Sequence, residues 1–179
     1  MPFVQTLIDT VDTPWLDCAG RSIKESSPAA TCTEAKFSFG GRKAIFKRPP
    51  LPSPEPIPFF HPHSGLKKLC DGIVFLEENA TGEVYILCCE LKSTGKDYLK
   101  QLVSSEHLAK FIFQSCLKKN PSLTNLKPII RCILFSDGDE KSTVRPGASP
   151  YVTSVIAPHL KIAYAKCDTP YSAQGFCCH

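Results

Sequence analysis

Two apolar runs separated by a short polar turn constrain the fold of this chain more than any other feature of its sequence. The runs occupy residues 70–77 and 83–92, are rich in β-branched and aromatic residues, and flank a turn at 79–82 that ends in glycine. This pattern predicts a β-hairpin. If Ala80 and Thr81 form a two-residue loop, Ile73 lies opposite Cys88, and the pairing of every other position follows.

The same pairing brings charged residues together at the open end of the hairpin. Asp71 lies opposite Glu90. Because side chains alternate along a strand, Glu90 and Lys92 share a face from which Leu91 points away. Like charges opposed across a strand pair are about 5 Å apart and destabilise the sheet. A divalent cation is the simplest compensation, since Mg²⁺ uses one or two carboxylates; ordinary strand-end charges in solvent, with the lysine paired to an acid, are the alternative.

Periodicity and chain breakers predict the other elements. The hairpin strands are apolar on both faces, as in central strands covered by helices. Apolar spacing predicts a short helix over 3–11 and a helix of about 22 residues that begins with Thr94 as its N-cap. We also expect strands at 129–135 and 160–165, a strand or hairpin at 35–47, irregular chain at 12–33, a proline-rich loop at 49–63 and a loosely held tail at 166–179.

Length and composition set the outer bounds. A chain of 179 residues is expected to form one domain over 1–179, and its net charge of +4 weakly favours a polyanionic partner. Residues 1–5 lack the pattern of a signal peptide, and no apolar run is long enough to span a membrane, so we expect a cytoplasmic protein with no membrane partner. Of ten cysteines, those in apolar segments are expected to be reduced and to behave as small hydrophobes: Cys70, Cys88, Cys89, Cys116 and Cys132.

An acid that opens one strand, followed by an E-x-K triplet that closes the next strand before a long helix, resembles the motif of the PD-(D/E)XK nuclease superfamily. The acid is Asp71, and the triplet runs from Glu90 to Lys92. The resemblance covers residues 1–135, and Cys70 replaces the proline of the family name. It implies an α/β fold with a mixed central sheet flanked by helices, the αβββαβ core of restriction endonucleases, and metal-dependent hydrolysis of DNA phosphodiester bonds.

The resemblance also implies a role for each residue of the motif. Asp71 and Glu90 would ligate one or two Mg²⁺ or Mn²⁺ ions, and the backbone carbonyl of Leu91 would add an oxygen ligand. Lys92 would position the attacking water and stabilise charge on the phosphate. A metal lowers the pKa of bound water and neutralises developing charge, and a lysine supplies a compact positive charge. Gln101 is a further candidate catalytic residue, with a role on the helix surface as the alternative.

A third acidic ligand, which many members of the family take from the first helix, is left open. Asp9 is the only acid within the predicted helix at 3–11. Glu25 and Glu34 are candidates, but both lie outside that helix.

Basic residues around the predicted site suit a polyanionic substrate. Residues 42–68 carry several lysines and arginines against the single acid Glu55. Such residues hold phosphates in register without reading sequence, whereas a solvated charged face is the alternative. The predicted nucleic-acid-binding residues are Arg42, Lys43, Lys47, Arg48, Lys67, Lys68, Lys96 and Lys100.

Other clusters offer competing chemistry, but each lacks a supporting context. A second E-x-K triplet, Glu34 to Lys36 with Asp17 upstream, has no apolar strand before it to bring the acids together. The pair Asp137 and Asp139 suits a solvated turn better than a cation site. A zinc site built from His61, His63, Cys177, Cys178 and His179 matches no standard spacing.

Three functions therefore remain open for this chain. The first is a Mg²⁺-dependent nuclease, in the form of an endonuclease acting on DNA in restriction, repair or antiphage defence. The second is a catalytically silent subunit of the same fold that binds nucleic acid or a protein. The third is an unrelated α/β adaptor or inhibitor that docks through the proline-rich loop. Because the chain offers no separate target-recognition domain, a nuclease of this size is expected to work as a homodimer or within a larger complex.

Overall fold

The computed structural model describes residues 1–25, 27, 29–47, 68–79, 81–92, 98–137, 143–144 and 149–177. The helices in this part of the chain are α1 (Phe3–Ile8) and α2 (Tyr98–Lys119). The strands are β1 (Leu16–Asp17), β2 (Ser22–Lys24), β3 (Glu34–Ser38), β4 (Arg42–Phe46), β5 (Gly72–Glu77), β6 (Val84–Lys92), β7 (Pro128–Ser136), β8 (Tyr151–Thr153), β9 (Lys161–Lys166) and β10 (Pro170–Ser172). None of the described helices has the length and apolar character needed to cross a membrane.

A seven-stranded mixed sheet forms the centre of the fold, in the order β1-β4-β5-β6-β7-β9-β8. Strands β1, β4, β5 and β6 pair antiparallel, β6, β7 and β9 pair parallel, and β8 returns antiparallel at the edge. Helix α2 connects β6 to β7, as a parallel pair requires a crossover. The predicted mixed α/β class is confirmed.

The predicted hairpin is present with the predicted register. Ile73 pairs with Cys88 and Phe75 with Ile86 in β5 and β6. At the closed end, the N–H of Glu78 donates to the carbonyl of Glu83 at 2.9 Å. The alternation of apolar runs with a polar turn was therefore sufficient to set the pairing of two strands.

The two faces of the large sheet are covered differently. On one face, here called the helix side, Phe3 of α1 packs its ring 5.1 Å from that of Phe113 in α2 and 6.3 Å from that of Phe75 in β5. The opposite face is covered by a second, three-stranded sheet in the order β10-β3-β2, where Phe37 contacts Phe176. The prediction that helices flank the sheet holds for one face only in the described part of the chain, because β2, β3 and β10 supply the apolar cover on the other.

Residues 35–47 were predicted to form either a strand or a hairpin. They contribute to two strands, β3 and β4, but these strands do not pair with each other as a hairpin. Strand β3 pairs with β2 and β10 in the small sheet, whereas β4 pairs with β1 and β5 in the large one. The chain crosses between sheets at Gly41, where a Cβ atom would lie 2.4 Å from the carbonyl oxygen of Glu77. Only glycine permits this approach of two backbones.

The tail from residue 166 was predicted to be loosely held, and this is wrong for its described part. Strand β10 pairs in parallel with β3, and Phe176 is fully buried against the large sheet. Cys167 forms a disulfide with Cys32, so the expectation of a reduced chain fails for this pair. The cysteines in apolar segments are free and buried, as predicted.

Several other boundaries differ from the predictions. Helix α1 ends at Ile8 instead of residue 11, and the stretch predicted to be irregular contains β1 and β2. Helix α2 has the expected 22 residues, from Tyr98 to Lys119, while the proposed N-cap Thr94 lies outside the described residues. The proline-rich loop at 49–63 also lies outside them.

Candidate active site at the open end of the hairpin

The two predicted acidic ligands, Asp71 and Glu90, lie at the same end of the adjacent central strands β5 and β6 and on the same face of the large sheet. The pairing of β5 with β6 ends at Gly72 and Cys89, and Asp71 and Glu90 are the next residues along the two segments. Glu90 alternates in phase with Cys88, and Asp71 with Ile73, and both of these apolar residues belong to the helix-side core. The hairpin therefore brings the carboxyl groups together beneath the helices.

Glu90 is the most constrained group of this site. Its side chain is fully buried, and Lys92 Nζ lies 2.9 Å from its Oε1. Neither carboxylate oxygen accepts a hydrogen bond of good geometry from the described residues. Burial and then the charge of Asp71 raise the pKa of Glu90 to about 8, although the contact with Lys92 opposes this. A buried carboxylate without hydrogen-bond donors is costly unless a cation compensates it.

Lys92 is the positive charge of the site. Its side chain is one quarter exposed, so the ammonium group reaches the edge of the core while solvent remains accessible. Burial lowers the pKa of Lys92, but the contact with Glu90 and the charges of Asp71 and Glu25 outweigh burial and hold the pKa above its usual value. Lys92 is therefore a permanent cation at neutral pH.

Asp71 is held in place by the backbone of the neighbouring strand. The N–H of Leu91 donates to Asp71 Oδ2 at 2.7 Å, which orients the carboxyl group toward β6. Burial raises the pKa of Asp71 to about 6, the Leu91 N–H opposes the rise, and the charge of Glu25 adds to it. The two carboxyl groups therefore titrate as a coupled pair with pKa values of about 6 and about 8, both above the ordinary range of a carboxyl group.

Glu25 is the acid that the small sheet adds to this site. It follows β2 and is close enough to share a hydrogen bond with Asp71 and to act electrostatically on Glu90. Its N–H donates to the carbonyl of Thr33 at 3.1 Å, and its Oε1 accepts from the N–H of Ser27 at 2.8 Å. Glu25 was one of three candidates by sequence, but no local pattern identified the strand that carries it.

The other two candidates for a third acid lie elsewhere. Glu34 forms ion pairs with Lys36 at 3.3 Å and with Lys24 at 3.8 Å in the small sheet. Asp9 is the C-cap of α1 and accepts a side-chain hydrogen bond from Gln5. Glu25 is thus the candidate that the described structure brings to Asp71.

The donor set of the site suits a small divalent cation. Among the described residues, no group of three or more His, Cys, Asp and Glu side chains is arranged to hold a metal ion. Two carboxylates suffice for Mg²⁺, however, which keeps several water ligands. The carboxylate oxygens of Glu90, of which Oε1 contacts Lys92, and those of Asp71 beside them are ligands of the hard type that Mg²⁺ and Mn²⁺ prefer.

Helix α2 fixes the segment that leads into Asp71. The buried hydroxyl of Ser105 accepts the N–H of Cys70 at 2.8 Å. Gln101 donates from Nε2 to the carbonyl of Leu69 at 3.4 Å. Gln101, which was a candidate catalytic residue, therefore contacts the backbone two positions before the first acid.

The predicted nucleic-acid-binding residues divide into separate groups. Arg42 pairs with Glu77 at the far end of β5, roughly 20 Å from Asp71 at strand spacing. Lys43, next to it, donates to the carbonyl of Cys18 at 2.7 Å. These two basic residues therefore cannot contact the same phosphate as the carboxyl pair.

The remaining basic residues differ in their partners. Lys47 forms an ion pair with Asp17 at 2.6 Å, which lowers the pKa of Asp17. Lys68 and Lys100 are exposed, the former just before β5 and the latter in the first turn of α2. Arg48, Lys67 and Lys96 lie outside the described residues.

The competing clusters are not assembled within the described structure. Glu34 and Lys36 of the second E-x-K triplet lie in the small sheet, whereas Asp17 lies in β1 at one edge of the large sheet. Asp137 is exposed. Asp139 and four of the five proposed zinc ligands, His61, His63, Cys178 and His179, lie outside the described residues.

Comparison with known proteins adds no relative. The chain matches no protein-family model, no curated protein sequence and no solved structure. Any functional assignment therefore depends on the geometry of the chain itself.

Proposed function

We propose that the protein is a metal-dependent nuclease that hydrolyses DNA phosphodiester bonds with a site of the PD-(D/E)XK type. The observation that carries this proposal is the buried carboxylate of Glu90, which has Lys92 at 2.9 Å and no hydrogen bond from the described residues. Asp71, on the neighbouring strand, raises its pKa further. Because the pKa of Glu90 stays at about 8 even with Lys92 beside it, a divalent cation is the compensation that would hold the group in its ionised form at neutral pH.

The order of the elements supports the same proposal. Along the chain, α1 is followed by the three adjacent antiparallel strands β4, β5 and β6, and then by α2 and the parallel strand β7. With β1, β2 and β3 inserted between α1 and β4, these elements follow the order of the αβββαβ core that the resemblance implies, and this order supports the proposal. The acid opens the second of these strands and the E-x-K triplet closes the third, at one edge of the sheet.

Each residue of the cluster has a distinct task in the proposed reaction. Asp71 and Glu90 would hold the cation, the carbonyl of Leu91 would add a further oxygen, and Glu25 adds negative charge beside Asp71. A bound cation would supply a low-pKa water and neutralise charge on the phosphate. A water oxygen bonds to phosphorus while the bond to the leaving oxygen breaks. Lys92 stabilises the charge that accumulates on the non-bridging oxygens of the phosphate.

A catalytically silent subunit of the same fold is the second candidate. It is favoured by the absence, among the described residues, of a group of three acids or other ligands arranged around one point. The intact Asp71, Glu90 and Lys92 favour the enzyme. The adaptor hypothesis depends on the proline-rich loop, which is not among the described residues.

The two candidates are separated by a cleavage assay with an internal control. Purified protein is incubated with supercoiled plasmid and Mg²⁺ or Mn²⁺, with and without a chelator. We expect Lys92→Ala to lose at least about 100-fold in rate, because removal of one preorganised charge from such a site has this size of effect. Lys36→Ala, which removes the lysine of the second E-x-K triplet, should cut as fast as the wild type.

Two outcomes would contradict the proposed enzyme. Cleavage that survives both Lys92→Ala and the chelator would place the activity elsewhere. DNA binding by the wild type without any metal-dependent cleavage would favour the silent subunit.

A further inference from the structure

The sheet that carries Lys92 continues away from the carboxyl pair with two more strands in the same register. Lys92 in β6 pairs with Ser136 in β7, and Ser136 pairs with Lys166 in β9. All three residues stand at the last position of their strands. They therefore form a row along the C-terminal ends of β6, β7 and β9, and the first residue of this row, Lys92, contacts Glu90.

The side chains of this row point to one side. Ser136 alternates in phase with Leu134, and Lys166 with Tyr164, both of which pack in or against the helix-side core. Glu90 and Lys92 lie on the same side. Paired positions of adjacent parallel strands keep this orientation, so Lys166 extends the face of the site.

Lys166 has the properties of a residue that is available to a ligand. Its side chain is exposed, and its ammonium group forms no ion pair within the described residues, while its own N–H donates to Tyr171 Oη at 2.9 Å. The two nearest described acids in the sequence do not neutralise it. Asp137 is exposed one residue beyond the end of β7, and Asp168 accepts a hydrogen bond from Thr33.

We propose that Lys166 forms a second phosphate subsite, which holds the nucleic-acid backbone beside the scissile bond. Two strand spacings separate the backbone of Lys166 from that of Lys92, which is about 10 Å. The rise of 3.4 Å per phosphate on one strand is measured along the duplex axis, and consecutive phosphates are about twice that far apart through space, so about 10 Å spans one or two phosphates. Lys166 contacts a phosphate near the one that is cut, and it contributes affinity without sequence reading.

This subsite rests on the proposed nuclease function, but it can be tested independently of cleavage. The probe is a fluorescein-labelled, hydrolysis-resistant phosphorothioate duplex, with binding measured by anisotropy over a range of salt concentrations in Mg²⁺. We expect Lys166→Gln to weaken binding by about three- to tenfold at low salt and to reduce the slope of log affinity against log salt by about 0.9, the contribution of one phosphate contact.

Lys161→Gln is the matched control. Lys161 is an exposed lysine at the opposite end of the same strand, about 16 Å from Lys166 at strand spacing, and its substitution removes the same charge. We expect its affinity and salt slope to remain those of the wild type. Equal weakening by both substitutions, or no weakening by Lys166→Gln, would overturn the subsite.

A small chromogenic diester, bis(4-nitrophenyl) phosphate, separates the two proposals. It contains a single phosphate and so offers no second phosphate to Lys166, which means that Lys166→Gln should hydrolyse it at the wild-type rate while cutting DNA more slowly at subsaturating DNA. Slower hydrolysis of the small diester by Lys166→Gln would place the lysine in the reaction itself and overturn the subsite. If the wild type cuts neither substrate but the anisotropy difference persists, the nuclease proposal fails and the phosphate subsite stands.

Discussion

The carboxyl group of Glu90 is the residue-scale feature on which the proposed site depends, because it is buried and its pKa is raised to about 8. Glu90 lies in the core beneath the helices, next to Asp71 and in contact with one lysine. In the absence of a divalent cation, burial and the charge of Asp71 favour the protonated form of Glu90 at neutral pH, although Lys92 opposes this. A proton and a divalent cation therefore compete for the same oxygens.

The pH dependence of stability tests this competition. The folded-state pKa of Glu90 is about 8, above the ordinary value of 4.5, so between these values the folded state retains a proton that the unfolded state loses. In chelator, the free energy of unfolding should fall as pH rises, by roughly 1.4 kcal/mol per pH unit. The clearest window is pH 6 to 8, because the titration of Asp71 is centred at about 6. Urea unfolding measures it.

Two comparisons sharpen that experiment. Glu90→Gln should remove most of the slope of the unfolding free energy between pH 6 and 8. Glu34→Gln should keep this slope, because the pKa of Glu34 is lowered and Glu34 therefore affects the pH dependence of stability only at acidic pH. Saturating Mn²⁺ should flatten the wild-type curve and raise the melting temperature more at pH 8 than at pH 6. A slope that Glu90→Gln leaves intact would show that another group is responsible.

At the scale of elements, the site is a hairpin supported from one side by a helix. Strands β5 and β6 supply the charged residues, and α2 holds the chain just before Asp71 through Ser105 and Gln101. Ser105 is fully buried, so its hydroxyl is the acceptor that compensates the buried N–H of Cys70. The position of the first acid thus depends on a polar contact between elements that are distant in sequence.

Substitution of Ser105 by Ala should weaken both stability and the site. The N–H of Cys70 would be left buried without its acceptor, at a cost of about 1–3 kcal/mol in the free energy of unfolding. Mn²⁺ affinity, measured by titration calorimetry of the folded variant, should also fall because Asp71 loses its anchor. Ser115→Ala is the control, because Ser115 lies half-buried on the same helix and its hydroxyl donates to the carbonyl of Phe111 in the preceding turn; its effect should be smaller than that of Ser105→Ala, since no buried N–H loses its acceptor. Wild-type stability in Ser105→Ala would argue against the anchor.

At the scale of the whole molecule, a disulfide and the pairing of β10 with β3 join the N-terminal part of the chain to its C-terminal part. Cys32 and Cys167 are separated by 135 residues and link the loop before β3 to the turn after β9. Nearby, the N–H of Asp168 donates to the carbonyl of Glu34, and β10 pairs with β3. The small sheet, which carries Glu25 to the site, is therefore completed by the C-terminal segment.

Loss of this disulfide should destabilise the protein without changing its fold class. Closing so long a loop restricts the unfolded chain, and native disulfides of this kind contribute about 2–5 kcal/mol. Urea unfolding of the wild type with and without a dithiol reductant should show a difference of this size. The double variant Cys32→Ala, Cys167→Ala should match the reduced wild type and be insensitive to reductant. A reductant effect that persists in the double variant would point to another cysteine pair.

Local pattern was enough to determine the central part of this protein. The hairpin register, and with it the pairing of Asp71 with Glu90 and the placement of Lys92, follows from the two-residue period of the strands and from one polar turn. The long helix follows from its apolar stripe. These features depend on residues close together in the sequence, where periodicity and turn chemistry act directly.

Only the tertiary structure decided which distant residues join them. Glu25 reaches Asp71 because β2 belongs to the small sheet. Lys166 is in register with Lys92 because β9 lies two strands from β6. Cys32 bonds to Cys167 because the C-terminal segment returns to β3. Each of these strands is either too short to show a period of two or is placed by a sheet order that no local pattern encodes. Burial of their apolar faces against the rest of the molecule selects that order, and burial is a property of the assembled chain.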